Sequence, residues 1–250
     1  MLNLYKYSLG PVLLLQSRRL RKTVLRLPEA DGPRAGSIAA VSSARPLRLL
    51  FVGDSSAAGV GVDHQEQALA IQTSTFLAER LGTPVEWQLL AKSGVNTLQA
   101  LKLLHRTPPK PADILITALG TNDVTSQRTG KQFLSDYQTL VSQVRQLCGI
   151  HSVVVTGLPP LRILPAAPHP LRWYLGKYAA ALDRKLQNWV NAQACFRYVS
   201  LEWAAVPEAM ARDKFHPGLE QYRHWAGLVA DSIAELLPRP LTQTQPDVGG

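Results

Sequence analysis

Cysteine is scarce in this chain, which has only Cys148 and Cys195 among its 250 residues. The two are far apart, lie in apolar segments and show no CxxC spacing. Neither a disulfide framework nor a zinc site is therefore indicated, and we expect both thiols to be buried. Histidines are scattered singly, with no HExxH pair: His64, His105, His151 and His169. The sequence predicts no metal and no organic cofactor.

A long hydrophobic run is also missing, because residues 9–15 fall well short of the roughly 20 apolar residues that span a bilayer. The basic block at 18–22 follows this run, which is the reverse of the order in a secretory signal. Lys6 ahead of the run keeps an export signal, cleaved or uncleaved, as an alternative. The location that we expect is cytoplasmic.

The net charge of +9 is concentrated near the N-terminus. Residues 1–36 hold seven Lys or Arg against two acidic residues, so five of the nine excess charges lie there. No RNP, zinc-finger or helix-turn-helix pattern accompanies the charge, and the five tryptophans are not interleaved with basic residues. Nucleic acid is therefore not a predicted partner.

Apolar residues of the basic segment share one helical face: Leu13, Leu20, Val24 and Leu27. Two interpretations stay open. The helix lies on an anionic membrane surface, giving peripheral contact through residues 9–27, or it packs against the protein's own body or a partner. Turn-forming residues without apolar periodicity follow at 28–46, which we interpret as a linker. The predicted organisation is an N-terminal segment and linker at 1–46, one domain at 47–238 and a flexible tail at 239–250.

Beyond residue 47, short apolar runs alternate with longer amphipathic ones, a pattern typical of βα units. Strands are predicted at 47–52, 85–91, 113–119, 152–157 and 196–201. Helices are predicted at 66–81, 97–106, 131–147, 172–191 and 220–236, with Asn96 as an N-cap and Gly149 as a C-terminal stop. About five parallel strands with helices on both faces make an α/β, flavodoxin-like doubly wound sheet, in which ligands bind beyond the carboxyl ends of the strands.

The first strand leads into a turn of small residues, Gly53-Asp54-Ser55-Ser56-Ala-Ala-Gly59. A serine at such a strand-to-helix turn would be exposed, beside backbone N–H groups able to hold an oxyanion. The same turn could instead cradle a phosphate, although the P-loop and dinucleotide-binding glycine spacings are missing.

Three further blocks carry polar residues that could act with Ser55. Gly94 and Asn122 follow the second and third predicted strands, where a glycine N–H and an amide could bind an oxyanion. Taken singly, Gly94 could merely permit a turn, and Asn122 could merely cap a helix or bond its own loop. Asp213 precedes His216 by three residues, so its carboxylate could orient the ring that takes the serine proton. His224 is the rival base, but it lies inside a predicted helix without an acid at comparable spacing.

GDS at 53–55, the glycine at 94, GTND at 120–123 and DxxHP at 213–217 resemble, in order, the conserved blocks of the SGNH (GDSL-type) hydrolase family over roughly residues 47–236. The resemblance implies a serine ester hydrolase, an esterase or lipase, that works through an acyl-enzyme. It implies Ser55 as nucleophile and first oxyanion donor, Gly94 and Asn122 as further donors, and His216 as base oriented by Asp213. Asp54 is then a structural member of the turn, and Ser56 replaces the leucine of the family name.

A proline-rich segment at 159–170 should lie on the same rim, where with Trp173, Tyr174 and Phe215 it could form an apolar lip for an acyl chain. It could equally be a rigid connection. Lipid or short-chain acyl esters are the expected substrates. Two alternatives come from other classes: a phosphate- or nucleotide-binding flavodoxin-like module without turnover, and a membrane-peripheral scaffold. The sequence leaves the oligomeric state open.

Overall fold

A six-stranded sheet lies at the centre of the protein, in a computed structural model that describes residue 5 and residues 8–237. The strands are β1 Ala35–Ile38, β2 Leu47–Gly53, β3 Val85–Ala91, β4 Ile114–Ala118, β5 Ser152–Thr156 and β6 Phe196–Val199. The helices are α1 Gly10–Thr23, α2 Leu69–Leu81, α3 Thr97–Arg106, α4 Thr121–Thr125, α5 Gly130–Cys148, α6 Leu171–Asn191 and α7 Leu219–Leu236.

The strand order is β1-β3-β2-β4-β5-β6, and β2 to β6 all run parallel. This arrangement confirms the predicted doubly wound α/β sheet. Gly53 at the end of β2 pairs with Ala91 of β3 and Ala118 of β4. The turns that follow these three strands therefore emerge side by side at one edge of the sheet, where ligands bind in such folds.

Two hydrophobic layers cover the sheet because successive side chains of a strand point to opposite faces. Leu50 and Val52 of β2 pack with α3, α5 and α6, whereas Leu49 and Phe51 pack with α2 and α7. The predicted helix ends are also present. The Asn96 side chain accepts the Gln99 N–H at the start of α3, and Gly149 adopts a left-handed conformation after α5.

The prediction that residues 28–46 form a linker is wrong for Ala35–Ile38, which form β1. This strand pairs antiparallel with the outer edge of β3, and Gly36 lies opposite Trp87. Its residues are mostly exposed and show no apolar alternation, so the backbone ladder alone makes the strand. The sheet thus has a sixth, antiparallel strand beyond the five predicted parallel ones.

The apolar face of α1 turns toward the protein's own body, as in the second of the two interpretations. Leu13 is buried, and Leu20 packs against the core cluster that contains α6. The Gln16 side chain donates to the His169 carbonyl at 2.6 Å and accepts the Leu171 N–H at 3.1 Å, which fixes α1 at the start of α6. The other side of α1 stays exposed.

The two cysteines differ: Cys148 is buried as predicted, whereas Cys195 is exposed and corrects that prediction. Cys195 lies in the turn before β6, where its carbonyl accepts the Val153 N–H while its side chain projects outward. The predicted tail at 239–250 falls outside the described residues. No helix within the described part of the chain is long and apolar enough to cross a membrane.

Candidate active site

Ser55 lies in the tight turn directly beyond β2. A side chain at Gly53 would bring its Cβ to 2.3 Å from the Ala57 Cβ and 2.8 Å from the Ala118 carbonyl, so only glycine lets the turn pack against β4. The buried Asp54 accepts the Ser56 N–H at 3.1 Å. Burial raises the pKa of Asp54 to about 6, with this hydrogen bond opposing the shift.

Helix α7 holds the same turn from the opposite side through Tyr222. Its buried hydroxyl lies 2.8 Å from both the Ser56 and Val60 carbonyls, which holds the backbone of the turn in place. Because α7 begins three residues after His216, the helix that supports the serine also positions the histidine.

Ser55, His216 and Asp213 form one line of contacts. The Ser55 Oγ is 2.8 Å from His216 Nε2, and His216 Nδ1 is 2.6 Å from Asp213 Oδ2. The other oxygen of Asp213 accepts the backbone N–H groups of Phe215 and His216, both at 3.0 Å. Burial alone would raise the pKa of Asp213, but the bonds from the His216 ring and these amides outweigh it and hold the pKa below its usual value.

Potential hydrogen-bond donors for an oxyanion converge beside this line. Gly94 has φ +81, a left-handed conformation that L side chains rarely adopt, and a Cβ there would point into open space. In the described chain the N–H groups of Ser55 and Gly94 have no hydrogen-bond acceptor. The Asn122 amide donates to the Val95 carbonyl at 3.0 Å and more weakly to Asp54 Oδ2 at 3.3 Å.

Asp123 joins the two segments that carry Gly94 and Asn122. Its fully buried carboxylate accepts the Thr97 N–H at 3.0 Å and the Thr97 hydroxyl at 2.9 Å, at the first turn of α3. Burial raises the pKa of Asp123 to about 6 although both Thr97 bonds oppose the shift. This contact ties helix α4, which carries Asn122, to the first turn of α3, which follows the Gly94 turn.

Two cavities meet at Ser55. A narrow apolar cavity of about 60 Å³ is lined by Leu119, Pro159, Leu164, Met210 and Phe215, among others. A wider cleft of about 550 Å³ is lined by His216, Asp213, Gly94 and Asn122. The proline-rich segment thus borders the narrow cavity, as the sequence predicts, and Phe215 lines both.

Other candidates lie elsewhere. The His224 ring packs edge-on against Trp203, whereas it is His216 that contacts Ser55. Trp173 and Tyr174, expected at the acyl lip, line neither of the two cavities: the Trp173 ring packs on Tyr5, and the Tyr174 hydroxyl donates to Gln127.

Sequence reasoning missed Glu29, whose carboxylate accepts the Ser93 N–H at 2.6 Å beside Gly94. Burial raises the pKa of Glu29, but the Ser93 bond and the Arg34 charge outweigh it and the pKa lies below its usual value. The one signal in the sequence that could have pointed to Glu29 is that it is the first acidic residue, since residues 1–28 contain no Asp or Glu.

Comparison with known proteins gives the family. Residues 51–224 match the sequence model of the GDSL-like lipase/acylhydrolase family. The chain belongs to this family. A GDSL-like esterase of Mycobacterium tuberculosis is 27% identical over 213 residues, which cover 79% of this chain and 66% of that protein. The chain therefore spans just under two thirds of the length of this curated relative.

Solved structures of esterases and lipases share the fold of this GDSL-family chain. A lipase from a goat rumen metagenome superposes with a TM-score of 0.60 at 18% identity, covering 74% of this chain and 97% of the lipase. The esterase EstA from Pseudoalteromonas gives a TM-score of 0.53 at 19% identity, covering 75% and 97%. A family 3 carbohydrate esterase from Clostridium thermocellum gives 0.57 at 15%, covering 77% and 97%. Membership of this family argues against a binding module without turnover.

Proposed function

We propose that this protein hydrolyses carboxylic esters through an acyl-enzyme formed on Ser55. The observation that carries the proposal is the unbroken line of contacts from the Ser55 Oγ through His216 to Asp213, at 2.8 and 2.6 Å. A serine, a base and an orienting acid in this order are what nucleophilic acyl transfer requires. Membership of a lipase and acylhydrolase family supports the same reaction class.

In the first half of the reaction, Ser55 Oγ attacks the ester carbonyl carbon while His216 Nε2 takes the hydroxyl proton. The tetrahedral intermediate collapses, the bond to the leaving oxygen breaks, and His216 gives its proton to the departing alcohol. Water then attacks the acyl-enzyme with His216 as base, which releases the carboxylic acid and restores Ser55. Asp213 stabilises the charged imidazolium at each stage.

The oxyanion would be bound by three donors: the N–H groups of Ser55 and Gly94 and the Asn122 amide. The first two have no other acceptor in the described chain, so binding an oxyanion breaks no existing bond. Preorganised donors of this kind contribute roughly 3 kcal/mol each to transition-state stabilisation.

The two cavities suggest how an ester would be oriented. His216 must protonate the leaving oxygen and lines only the wide cleft, so the alcohol belongs there and the acyl group in the narrow cavity. At about 60 Å³ the narrow cavity is less than half of the roughly 150 Å³ that holds a benzene ring. Short acyl groups such as acetyl or butyryl are therefore the favoured substrates.

The test is hydrolysis of p-nitrophenyl acetate, butyrate, octanoate and dodecanoate. We expect the acetate or butyrate to be fastest, and Ser55→Ala and His216→Ala each to lower kcat at least about a thousandfold. Ser56→Ala is the matched serine control and should remain active, because His216 contacts the Ser55 hydroxyl.

Two results would contradict the proposal. Inactivity of the wild-type protein on every ester, or full activity of Ser55→Ala, would reject hydrolysis through this serine. A maximum at dodecanoate would leave the mechanism in place and reject the narrow cavity as the acyl site.

A further inference from the structure

The wide cleft is walled on one side by the N-terminal segment, which the proposed catalytic steps do not use. Leu20, Val24 and Leu27 line the cleft opposite Leu171 and Leu175 of α6. These are largely the residues that the sequence groups on one apolar helical face. The predicted single helical face is wrong beyond Thr23, where α1 ends: Leu20 lines the cleft from the helix, and Val24 and Leu27 line it from the non-helical segment that follows. Leu13, on the same helix as Leu20, is buried in the protein core.

The segment is fastened on both sides of the cleft. The Gln16 side chain makes two hydrogen bonds to the backbone at His169 and Leu171, before α6. At the other end, Glu29 accepts the Ser93 N–H, and the Ala30 N–H donates to the Ala58 carbonyl in the turn of Ser55. With both ends bonded to elements that carry the active site, the segment between them is a fixed wall.

Charge at this wall is of one sign. Arg21 and Arg26 also line the cleft, are exposed, and form no ion pair with any residue that the structure describes. The acidic residue among the lining groups is Asp213, whose carboxylate is already engaged by His216. The cleft therefore offers an apolar lining with two guanidinium groups, which bind carboxylate or phosphate groups well.

We propose that residues 20–27 select the alcohol part of the substrate, and that this alcohol is an apolar chain ending in an anionic group. The inference rests on the proposed ester hydrolysis, since it assigns the leaving alcohol to the cleft that His216 lines. Leu20, Val24 and Leu27 contact the chain, and Arg21 and Arg26 bind the anion. None of these five residues touches the reacting atoms, so they determine specificity.

The experiment compares four butyrate esters by titration of the acid released: methyl butyrate, octyl butyrate, and octyl butyrates with a carboxylate or an ammonium group at the far end of the chain. The wild-type kcat/KM should be higher for octyl than for methyl butyrate. It should rise again, roughly threefold to tenfold, for the carboxylate and fall for the ammonium analogue, as expected for exposed ion pairs.

Charge variants separate local recognition from the overall positive field. R21Q/R26Q should abolish the preference for the carboxylate over the ammonium ester. R18Q/R19Q removes the same charge from exposed residues of α1 outside the cleft and should keep the preference. Equal loss in both double variants, or no wild-type preference, would overturn the assignment of the anion site.

Apolar variants test the wall itself. Val24→Thr keeps the shape of the side chain and Leu20→Ser removes most of it; both should lower the octyl-to-methyl ratio of kcat/KM, by roughly tenfold for Leu20→Ser. Leu15→Ser, on the outer side of the same helix, should leave the ratio unchanged. If the ratio is unchanged in both Val24→Thr and Leu20→Ser, residues 20–27 do not contact the alcohol chain.

Two further comparisons complete the test. If no ester is hydrolysed by the wild-type protein, the proposed function fails, which is a different result from hydrolysis without alcohol preference. The carboxylate ester can also be presented either free in solution or within phosphatidylcholine vesicles. The form that is hydrolysed faster shows whether the anionic alcohol comes from a soluble or a membrane-borne source. A preference for the carboxylate over the ammonium ester in either form supports the anion site.

Discussion

The side-chain amide of Asn122 makes two hydrogen bonds of unequal length. The 3.0 Å bond to the Val95 carbonyl fixes the side chain, whereas the 3.3 Å contact with Asp54 is long for a hydrogen bond. The second N–H can therefore turn from Asp54 to a developing oxyanion with little loss. We therefore predict that Asn122 acts in the transition state through a hydrogen bond that is absent from the resting protein.

Asn122→Ala should accordingly lower kcat by about a hundredfold or more and change KM little, because the lost bond forms mainly in the transition state. Steady-state kinetics on p-nitrophenyl butyrate measures both constants. Asn96→Ala, which removes an amide at the start of α3, is the control and should keep kcat within a few-fold. A kcat for Asn122→Ala within fivefold of wild type would remove this residue from the oxyanion donors.

Asp54 makes the stability of the fold depend on pH. Its pKa is about 6 in the folded protein against 3.8 as the ordinary value, so between these values the folded state binds more protons than the unfolded state. Stability must then decrease as the pH rises through this window. Asp213 acts in the opposite direction at lower pH: its pKa is depressed, and its contribution is lost as the pH falls through the folded value.

Asp54→Asn should remove the share of this dependence that comes from Asp54. The free energy of unfolding of the variant minus that of wild type should be higher at pH 7.5 than at pH 4.5 by about 2 kcal/mol. This is an order-of-magnitude figure from the two pKa values. Urea unfolding at both pH values measures the difference. A difference between variant and wild type that is the same at both pH values would mean that Asp54 is not the titrating group.

At the scale of secondary structure, the elements that the sequence predicts well are those with strong periodicity. Helix α3 and strand β3 match their predicted ranges, because each has an apolar face with a cap or a turn at its ends. β1 escapes prediction because its backbone pairing with β3 needs no apolar side chains. The contacting face of α1 was identifiable from the sequence, but the surface that it contacts is formed by α6, some 150 residues later in the chain.

The outer side of α1 is divided along the helix. Val12, Leu14 and Leu15 are exposed in its first half, with Leu15 70% exposed, and Arg18 and Arg19 are exposed in its second half. Exposed leucines next to arginines suit the interface of an anionic membrane. Peripheral membrane contact through residues 9–27 thus remains a prediction, now assigned to this outer side.

The prediction is that the protein sediments with vesicles of phosphatidylcholine and phosphatidylglycerol more than with phosphatidylcholine alone. Leu15→Ser should weaken this binding roughly tenfold, since it removes an exposed apolar side chain, and R18Q/R19Q should remove the preference for phosphatidylglycerol. Leu147→Ser, an exposed leucine at the end of α5, is the matched control. Equal binding by wild type and Leu15→Ser would exclude α1 as the contact.

For the whole molecule, the beginning of the folded unit is the main difference from the sequence-based organisation. The sequence predicts a domain from residue 47, yet β1 covers Trp87 and the Gln65 side chain donates to the Ala30 and Ala58 carbonyls. The turns of Ser55, Gly94 and Asn122 could be predicted because each follows a strand within a few residues, whereas Asp213 and His216 lie just before α7, well beyond β6. These longer connections could not, because they join positions whose proximity depends on the finished fold.

Truncation tests where the folded unit begins. A chain that starts at residue 28 should unfold at a higher temperature than one that starts at residue 47, by roughly 10 °C. This corresponds to about 3 kcal/mol for the lost ladder and the exposed Trp87. Thermal unfolding followed by circular dichroism measures both chains. Equal unfolding temperatures would mean that the folded unit begins at residue 47, as the sequence predicts.

The fastening of the N-terminal segment at Gln16 and Glu29 has a consequence for protein engineering. Both contacts involve backbone groups of the rest of the chain, the Leu171 N–H and the Ser93 N–H among them, so they do not depend on the side chains present there. The segment between the two contacts can then be exchanged for another sequence while the attachment chemistry is kept. Chimeras with different residues at 20–27 would be a library for changing the preferred alcohol without altering the serine, histidine or aspartate.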